Sequence, residues 1–139
     1  MRKFKEIFEG LSYAHGVHIP GDQQSNGKVS GINKTEKKPV TDRLWETHLS
    51  GKGYGLGIIP INENSKCRWG CIDIDTYNLD HKSLLVKIKK FNLPLVMCRS
   101  KSGGAHLFMF ARDFIAASKV QNKLREIASY LGFSNSEIF

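Results

Sequence analysis

The sequence predicts an α+β fold in which helices pack on one face of a mostly antiparallel sheet. Two observations predict this class: short apolar runs lie between turn residues, and amphipathic segments with apolar residues three and four positions apart follow them. The chain has 139 residues, within the usual span of one domain with one hydrophobic core. We therefore expect a single domain rather than a multidomain protein.

The amino-terminal portion, residues 1–54, is expected to be a helical and loop-rich extension. A short first helix is indicated by apolar residues at spacings of three and four, namely Phe4, Ile7, Phe8 and Leu11. Residues 16–39 are rich in Gly, Ser, Asn and Lys, a composition typical of turns or of a long mobile loop. Thr41 is a suitable cap for a second helix, which Gly51 and Gly53 would end.

The core is expected to begin with an antiparallel β-hairpin. Residues 56–61 and 68–75 are short apolar runs, and the sequence between them is turn-like. A helix should follow the second run, with Asn78 or Asp80 as its cap. Pro94 would stop this helix, since proline cannot donate a backbone hydrogen bond and its ring clashes with the preceding turn.

A second strand pair and a second helix complete the predicted core. Residues 95–99 and 105–111 are apolar runs on either side of two glycines. The helix is indicated by apolar residues at spacings of four, three and four, namely Val120, Leu124, Ile127 and Leu131. Gly132 would close it. Residues 55–139 are thus expected to follow the order β-β-α-β-β-α.

The chain is basic, so a polyanion is the first partner to consider. Lys plus Arg number 21 against 13 Asp plus Glu, which gives a formal net charge of +8 at pH 7. No apolar run approaches the roughly 18 residues that suggest a membrane span. The amino terminus has no apolar signal core, and three cysteines do not form a disulfide framework. We expect a reducing, cytoplasmic location and no membrane partner.

The most informative triplet is Asp73-Ile74-Asp75. Because side chains alternate across a strand, both carboxylates are expected on one side and the isoleucines at 72 and 74 on the other. Two neighbouring carboxylates repel each other and are costly to desolvate, so their strand would open to solvent there or bind a cation. Mg²⁺ or Mn²⁺ suits such oxygen ligands. The alternative is a strand end whose aspartates cap the following turn.

The polar turn at residues 99–106 is the second candidate site. Glycines let backbone amides approach a ligand closely, while hydroxyl and basic side chains supply donors and positive charge, a combination that suits a triphosphate. The side chains that would supply these donors are Arg99, Ser100, Lys101, Ser102 and His106. The spacing of a Walker A loop is absent, which disfavours ATPase chemistry of that type. The alternative is an ordinary hairpin turn.

The strand after this turn has one face with His106, Phe108 and Phe110. These aromatic residues are either core residues or a stacking platform for single-stranded nucleic acid. If the two central strands are neighbours, His106 comes within reach of Asp73 and Asp75. Metal-binding acids would then lie on one side of the site and phosphate donors on the other.

The cysteines support only weak expectations. Cys67 and Cys71 have a spacing that would suit the first half of a zinc site, but no second Cys/His pair of suitable spacing follows them. Cys98 lies in an apolar run and is expected to be a small core residue rather than a nucleophile. Zinc is therefore not part of the main hypothesis.

Three segments occur in a characteristic order: GLGIIPI at 55–61, WGCIDID at 69–75 and RSKSGGAHL at 99–107. In combination they resemble the archaeo-eukaryotic primase superfamily, in particular the primase-polymerase domains of phages and of TOTE conflict systems. The likeness covers about residues 40–139. The resemblance implies an RRM-like sheet at the core and catalysis of nucleotidyl transfer.

The resemblance also implies roles for the two candidate sites. In this superfamily the Asp-x-Asp strand ligates the catalytic divalent ions, which by position would be Asp73 and Asp75. The later Ser…His motif binds the phosphates of the incoming nucleotide, which points to His106 and to Ser100 or Ser102. Whether Ser100 or Ser102 is the motif serine remains open, because the spacing of this motif varies within the superfamily.

The superfamily supplies a third metal-binding carboxylate from a strand beyond the second motif. Downstream of His106 the candidates are Asp113 and Glu137, and neither lies at the end of a convincing strand. We therefore expect the chain to be the amino-terminal portion of a longer primase-polymerase, without its third carboxylate. Activity of this piece in isolation is not expected on that reasoning.

The leading hypothesis is a DNA primase-polymerase domain that uses Mg²⁺ or Mn²⁺ and acts in the replication of a phage or mobile element. Its partners would be nucleoside triphosphates, a DNA template with or without primer, and a helicase in the same protein or replisome. Two other classes remain open. A non-catalytic module for single-stranded nucleic acid predicts metal-independent binding, and a metal-dependent nuclease predicts strand cleavage without nucleotide.

Overall fold

The structure is a computed structural model that describes residues 1–23, 29–76, 78–100 and 102–139. Within these ranges the chain has four helices and two antiparallel sheets, which confirms the α+β class. It divides into two compact units, Met1–Asn64 and Ser65–Phe139. That the chain forms one primase-polymerase domain, or the amino-terminal part of one, stays a prediction.

The first unit contains a three-stranded sheet with the order β2-β1-β3. Its elements are α1 (Arg2–Ile7), β1 (His15–Gln23), β2 (Val29–Glu36), α2 (Asp42–Leu49) and β3 (Gly55–Gly57). The strands β1 and β2 occupy most of the segment that we predicted to be turns or a long loop, so that prediction is wrong for residues 16–23 and 29–36, while residues 24–28 lie outside the described residues. Val17 and Ile19 are half-buried on either side of the exposed His18, and these two β-branched residues favour a strand despite the turn-forming composition around them.

Strand β3 pairs with β1 and not with the strand that follows it in sequence. The predicted hairpin between residues 56–61 and 68–75 is therefore wrong. Gly16 lies opposite Gly57, and a Cβ built on Gly57 would lie 3.3 Å from the Cα of Gly16. The two backbones thus approach closely because neither residue has a side chain, a long-range match that local patterns do not reveal.

The second unit contains a four-stranded sheet with the order β5-β6-β4-β7. Its elements are β4 (Lys66–Ile74), α3 (His81–Lys90), β5 (Val96–Arg99), β6 (Ala105–Ala116), α4 (Ala117–Leu131) and β7 (Glu137–Ile138). The strand pair β5–β6 and both helices are confirmed. The predicted order β-β-α-β-β-α is wrong, because this unit follows β-α-β-β-α-β.

Helices α3 and α4 pack on one face of this sheet, and the hydrophobic core lies between them and the strands. Ile72, Ile74, Leu107 and Leu124 are its largest fully buried side chains. A Cβ on Gly70 would lie 2.7 Å from a methyl carbon of Leu124, so this glycine gives α4 room to lie on β4. Since side chains alternate, Asp73 is left on the opposite face of the sheet.

The helix boundaries follow the predicted signals. The Thr41 hydroxyl accepts a hydrogen bond from the Leu44 N–H at the start of α2, and Asp80 accepts one from Ser83 at the start of α3. Gly132 closes α4 in the left-handed conformation, with φ of 90°. In the described parts of the chain, helices are too short or too polar to cross a membrane.

Candidate functional site

Four strands place one residue each in a single row across the second sheet. Cys98 on β5 lies opposite His106 on β6. His106 lies opposite Asp73 on β4, which in turn lies opposite Glu137 on β7. Directly opposite residues share a face of the sheet, and here it is the face away from the buried isoleucines. The sheet register thus brings a histidine and two carboxylates together.

Asp73 is the central member of this row, and one of its carboxylate oxygens lacks a hydrogen bond. Its Oδ1 is buried without a hydrogen-bond partner among the described residues, although Nε2 of His106 lies 3.3 Å away in an ion-pair contact. Burial raises the pKa of Asp73, His106 lowers it, and the negative charges of Asp75 and Glu137 raise it further. A buried carboxylate oxygen without a donor is costly in a purely structural role, so this arrangement favours a cationic ligand.

Asp75 follows β4 directly, and its side chain is exposed. Asp73, Asp75 and Glu137 line one cleft of about 480 Å³, whose other wall is the segment 132–136 and Thr76. The two aspartates therefore face a common space, as the alternation along the strand predicted. The cleft has the carboxylates on one side and is open to solvent at Asp75.

Glu137 reaches this cleft because the last residues of the chain form a strand beside β4. The amide N–H of Phe139 donates to the carbonyl of Cys71, and the Cys71 N–H donates to the carbonyl of Phe139, each at 2.9 Å. This reciprocal pair fixes the register that sets Glu137 opposite Asp73. The third carboxylate at the cleft is thus held by backbone hydrogen bonds.

Our prediction that no carboxylate downstream of His106 lies on a convincing strand is wrong for Glu137. Strand β7 has two residues, too few for an alternating pattern to be recognised. The signal in the sequence was the apolar pair Ile138 and Phe139. The segment between Gly132 and this pair is long enough for one turn that returns the chain to the sheet. Asp113, the other downstream candidate, is exposed on β6.

The turn between β5 and β6 places both serines beside the cleft. The hydroxyl oxygens of Ser100 and Ser102 lie 3.1 Å apart, and Ser102 donates to Oδ1 of Asp75 at 3.3 Å. Arg99 is exposed at the end of β5. Lys101 lies outside the described residues. The two sequence motifs, predicted to be neighbours, are therefore joined by a hydrogen bond.

The face of β6 with His106 continues into two aromatic residues. The rings of His106 and Phe108 have centroids 6.0 Å apart, and those of Phe108 and Phe110 are stacked at 6.0 Å. Their partners on β4 include Trp69, which is buried, whereas Phe110 is 37% exposed. The prediction that the three β6 side chains share a face is confirmed. Part of this face is core and part is accessible.

A family model described as the archaeo-eukaryotic primase domain of TOTE conflict systems matches residues 13–138. The chain belongs to this family. The resemblance inferred from the three sequence segments is thereby confirmed, and the match includes every residue of the row and of the turn. No curated protein matches the chain.

Domains of the archaeo-eukaryotic primase superfamily are in general nucleotidyltransferases that bind nucleic acid and nucleotides and use divalent metals. The donor chemistry of this primase-family domain fits a hard cation, since three carboxylates line one cleft and one of them has a buried oxygen without a hydrogen-bond partner. In the described ranges, no three His, Cys, Asp or Glu side chains are already close enough to hold an ion. Cation binding would therefore require the side chains of Asp73, Asp75 and Glu137 to rotate, while their backbone positions stay as they are.

The three cysteines of the domain differ in environment. Cys67 and Cys71 are buried as free thiols, while Cys98 is exposed, so the prediction of Cys98 as a core residue is wrong. Strand β5 is an edge strand, and its alternate side chains face solvent. Burial raises the pKa of Cys67, and burial together with the charge of Asp73 raises the pKa of Cys71 to about 12.

This difference predicts selective thiol labelling. At pH 8 in native buffer, Cys98 should react with a maleimide, whereas Cys67 and Cys71 should react only after unfolding, because thiolate and access are both required. Intact-mass measurement should find one modified thiol in the native protein and all three in denaturant. Cys98→Ser is the control and should abolish native labelling. Rapid native modification of Cys71 would contradict the burial described here.

Proposed function

We propose that this chain carries the nucleotidyl-transfer site of a DNA primase-polymerase, which joins nucleoside triphosphates on a DNA template. The observation that carries the proposal is the registered row in which Asp73 lies between His106 and Glu137. In-line transfer needs cations beside the reacting phosphate and donors on the triphosphate, and it needs no protein nucleophile. The acids and the donors of this site are neighbours.

The proposed metal ligands are Asp73, Asp75 and Glu137. When bound, Mg²⁺ or Mn²⁺ would activate the attacking 3′-hydroxyl and neutralise charge on the departing pyrophosphate. Asp73 offers a buried oxygen that no protein donor satisfies, and Glu137 and Asp75 face the same cleft. With Glu137 as the third carboxylate, the chain has the acidic set that sequence reasoning had placed beyond its end.

The proposed nucleotide-binding residues are His106 and the donors of the preceding turn. The His106 side chain is 41% exposed, so its ring has one edge against Asp73 and room for a phosphate oxygen. Ser100 and Ser102 would donate from the other side, and Arg99 and Lys101 would add positive charge. Ser102 is already bonded to Asp75, which favours it as the serine that connects phosphate and metal sites.

Template binding would rest on the basic character of the chain. A formal charge of +8 suits a phosphate backbone bound without sequence readout. The order β-α-β-β-α-β, with both helices on one face, is the split β-α-β arrangement and supports the RRM-like core that the resemblance implies. Its other face carries the proposed site. Action in phage or mobile-element replication, with a helicase partner, belongs to this proposal.

The test is template-directed synthesis by the purified 139-residue chain. With a primed and an unprimed DNA template, Mn²⁺ and labelled nucleotides, we expect products that lengthen with time and follow the template sequence. Asp73→Asn/Asp75→Asn should abolish them. Cleavage of the DNA without added nucleotide would identify a nuclease instead. Metal-independent binding of single strands, with no synthesis and no nucleotide affinity, would identify a binding module.

A further inference from the structure

A histidine outside both sequence motifs contacts the turn between β5 and β6. His81 is the first residue of α3, and its Nε2 lies 2.9 Å from the carbonyl oxygen of Gly104. A carbonyl only accepts, so Nε2 carries the hydrogen and donates. The ring is partly buried, so solvent competes less for this hydrogen bond than at an exposed site.

The Gly104 carbonyl that His81 contacts also accepts the hydrogen bond that closes the turn. The Ser100 N–H donates to the same Gly104 oxygen at 3.0 Å, and the Gly103 N–H donates to the Ser100 carbonyl at 3.2 Å. A carbonyl oxygen has two lone pairs, so it accepts both bonds. His81 therefore acts on the hydrogen bond that gives the turn its shape.

Gly104 also lies in close contact with the end of β4. A Cβ added to Gly104 would lie 1.9 Å from the carbonyl oxygen of Ile74, so only glycine fits there. Ile74 lies between the two aspartates, and His106 lies two residues after Gly104. A displacement of Gly104 would therefore move the phosphate donors relative to the carboxylates.

Helix α3, which carries His81, is held by a cap at its first turn and by packing on the core. Asp80 accepts hydrogen bonds from the N–H of Ser83 at 3.0 Å and from its hydroxyl at 2.7 Å, which fixes the first turn of α3. Leu84 and Ile88 then attach the helix to the hydrophobic core. The hydrogen bond thus links the core, through α3, to the turn that carries Ser100 and Ser102.

We propose that His81 is a positioning residue for nucleotide binding, which holds Gly104 in the position from which the hydroxyls of Ser100 and Ser102 and the ring of His106 are aimed at the triphosphate. The inference rests on the proposed function and extends it to a residue outside the motifs. His81→Ala should raise the dissociation constant for Mn²⁺-dATP about five- to tenfold, the effect of one lost hydrogen bond. His81→Gln, whose Nε2 donates from nearly the same place, should restore most of the affinity.

The experiment combines calorimetry of Mn²⁺-dATP binding with amide hydrogen exchange, on the wild type, His81→Ala, His81→Gln and Lys82→Ala. Lys82 is exposed in the same helical turn and serves as the control. In His81→Ala we expect faster exchange at Ser100, unchanged exchange at Leu84 and weaker nucleotide binding. Faster exchange with unchanged affinity would overturn the positioning role, as would unchanged exchange. Absence of nucleotide binding by the wild type would overturn the proposed function itself, and the inference with it.

Discussion

Glu137→Gln is expected to lower nucleotidyl transfer by about 10²-fold or more, since it removes one of three carboxylates that line the cleft. The amide keeps the size of the side chain, and the backbone hydrogen bonds of β7 do not depend on it, so the fold should be retained. Rates of template-directed synthesis at saturating Mn²⁺ and nucleotide measure the effect. The free energy of unfolding should change little.

Asp113→Asn is the matched control for this variant. Asp113 is also a carboxylate downstream of His106, but it is exposed on β6 and does not line the cleft. Its substitution should leave the synthesis rate within about twofold of the wild type, as is usual for a surface position. Equal losses in the two variants would mean that β7 does not supply a functional ligand, and the proposed metal set would then be wrong.

Asp73→Asn is expected to stabilise the metal-free protein while it abolishes function. Burial raises the pKa of Asp73, so its charged form at neutral pH destabilises the folded state relative to the unfolded state. Removing that charge should raise the free energy of unfolding by about 1 kcal/mol, the usual scale for relief of a strained functional position. Urea unfolding at pH 7 without metal measures this difference.

The pH dependence of this difference has a definite sign. The pKa of Asp73 is raised in the folded state, so the wild type loses stability relative to Asp73→Asn as pH rises above the unfolded-state pKa. As pH falls below the ordinary pKa of an aspartate, both states become protonated and the stability difference due to this charge should disappear. Asp75→Asn, at an exposed position, should change stability little. A lower stability of Asp73→Asn at pH 7 would contradict this account.

Added Mn²⁺ should reverse the order of stability. A cation that binds the folded wild type shifts its unfolding by mass action, whereas a variant without the central ligand gains nothing. This reversal in the order of stability distinguishes a carboxylate that binds a cation from one that only contributes to packing. The wild type should be the more stable protein in millimolar Mn²⁺ and the less stable one in chelator.

The elements that sequence patterns predicted well are those with a strong local period. The apolar stripe of α4 and its closing Gly132 needed no long-range information, and neither did the cap at Asp80. The same holds for Asp73, whose face follows from simple alternation beside buried isoleucines. Both candidate motifs, the acids and the Ser…His turn, could therefore be recognised in the sequence.

The elements that were missed depend on pairing between distant segments. Strand β3 joins β1 through two facing glycines, and the two residues of β7 join β4 beside the reciprocal hydrogen bonds of Phe139 and Cys71. Neither contact leaves a periodic signal in the chain. Glu137 and His81 were missed for this reason, because each enters the site through its position in three dimensions rather than through a motif.

The most direct test of the central claim is calorimetric titration of dATP into the folded chain, with and without Mn²⁺, for the wild type and Asp73→Asn/Asp75→Asn. The account predicts binding by the wild type that requires Mn²⁺ and is lost in the double variant, while circular dichroism shows both proteins folded. Equal binding by the two proteins, or no binding by a folded wild type, would contradict a nucleotidyl-transfer site built on these carboxylates.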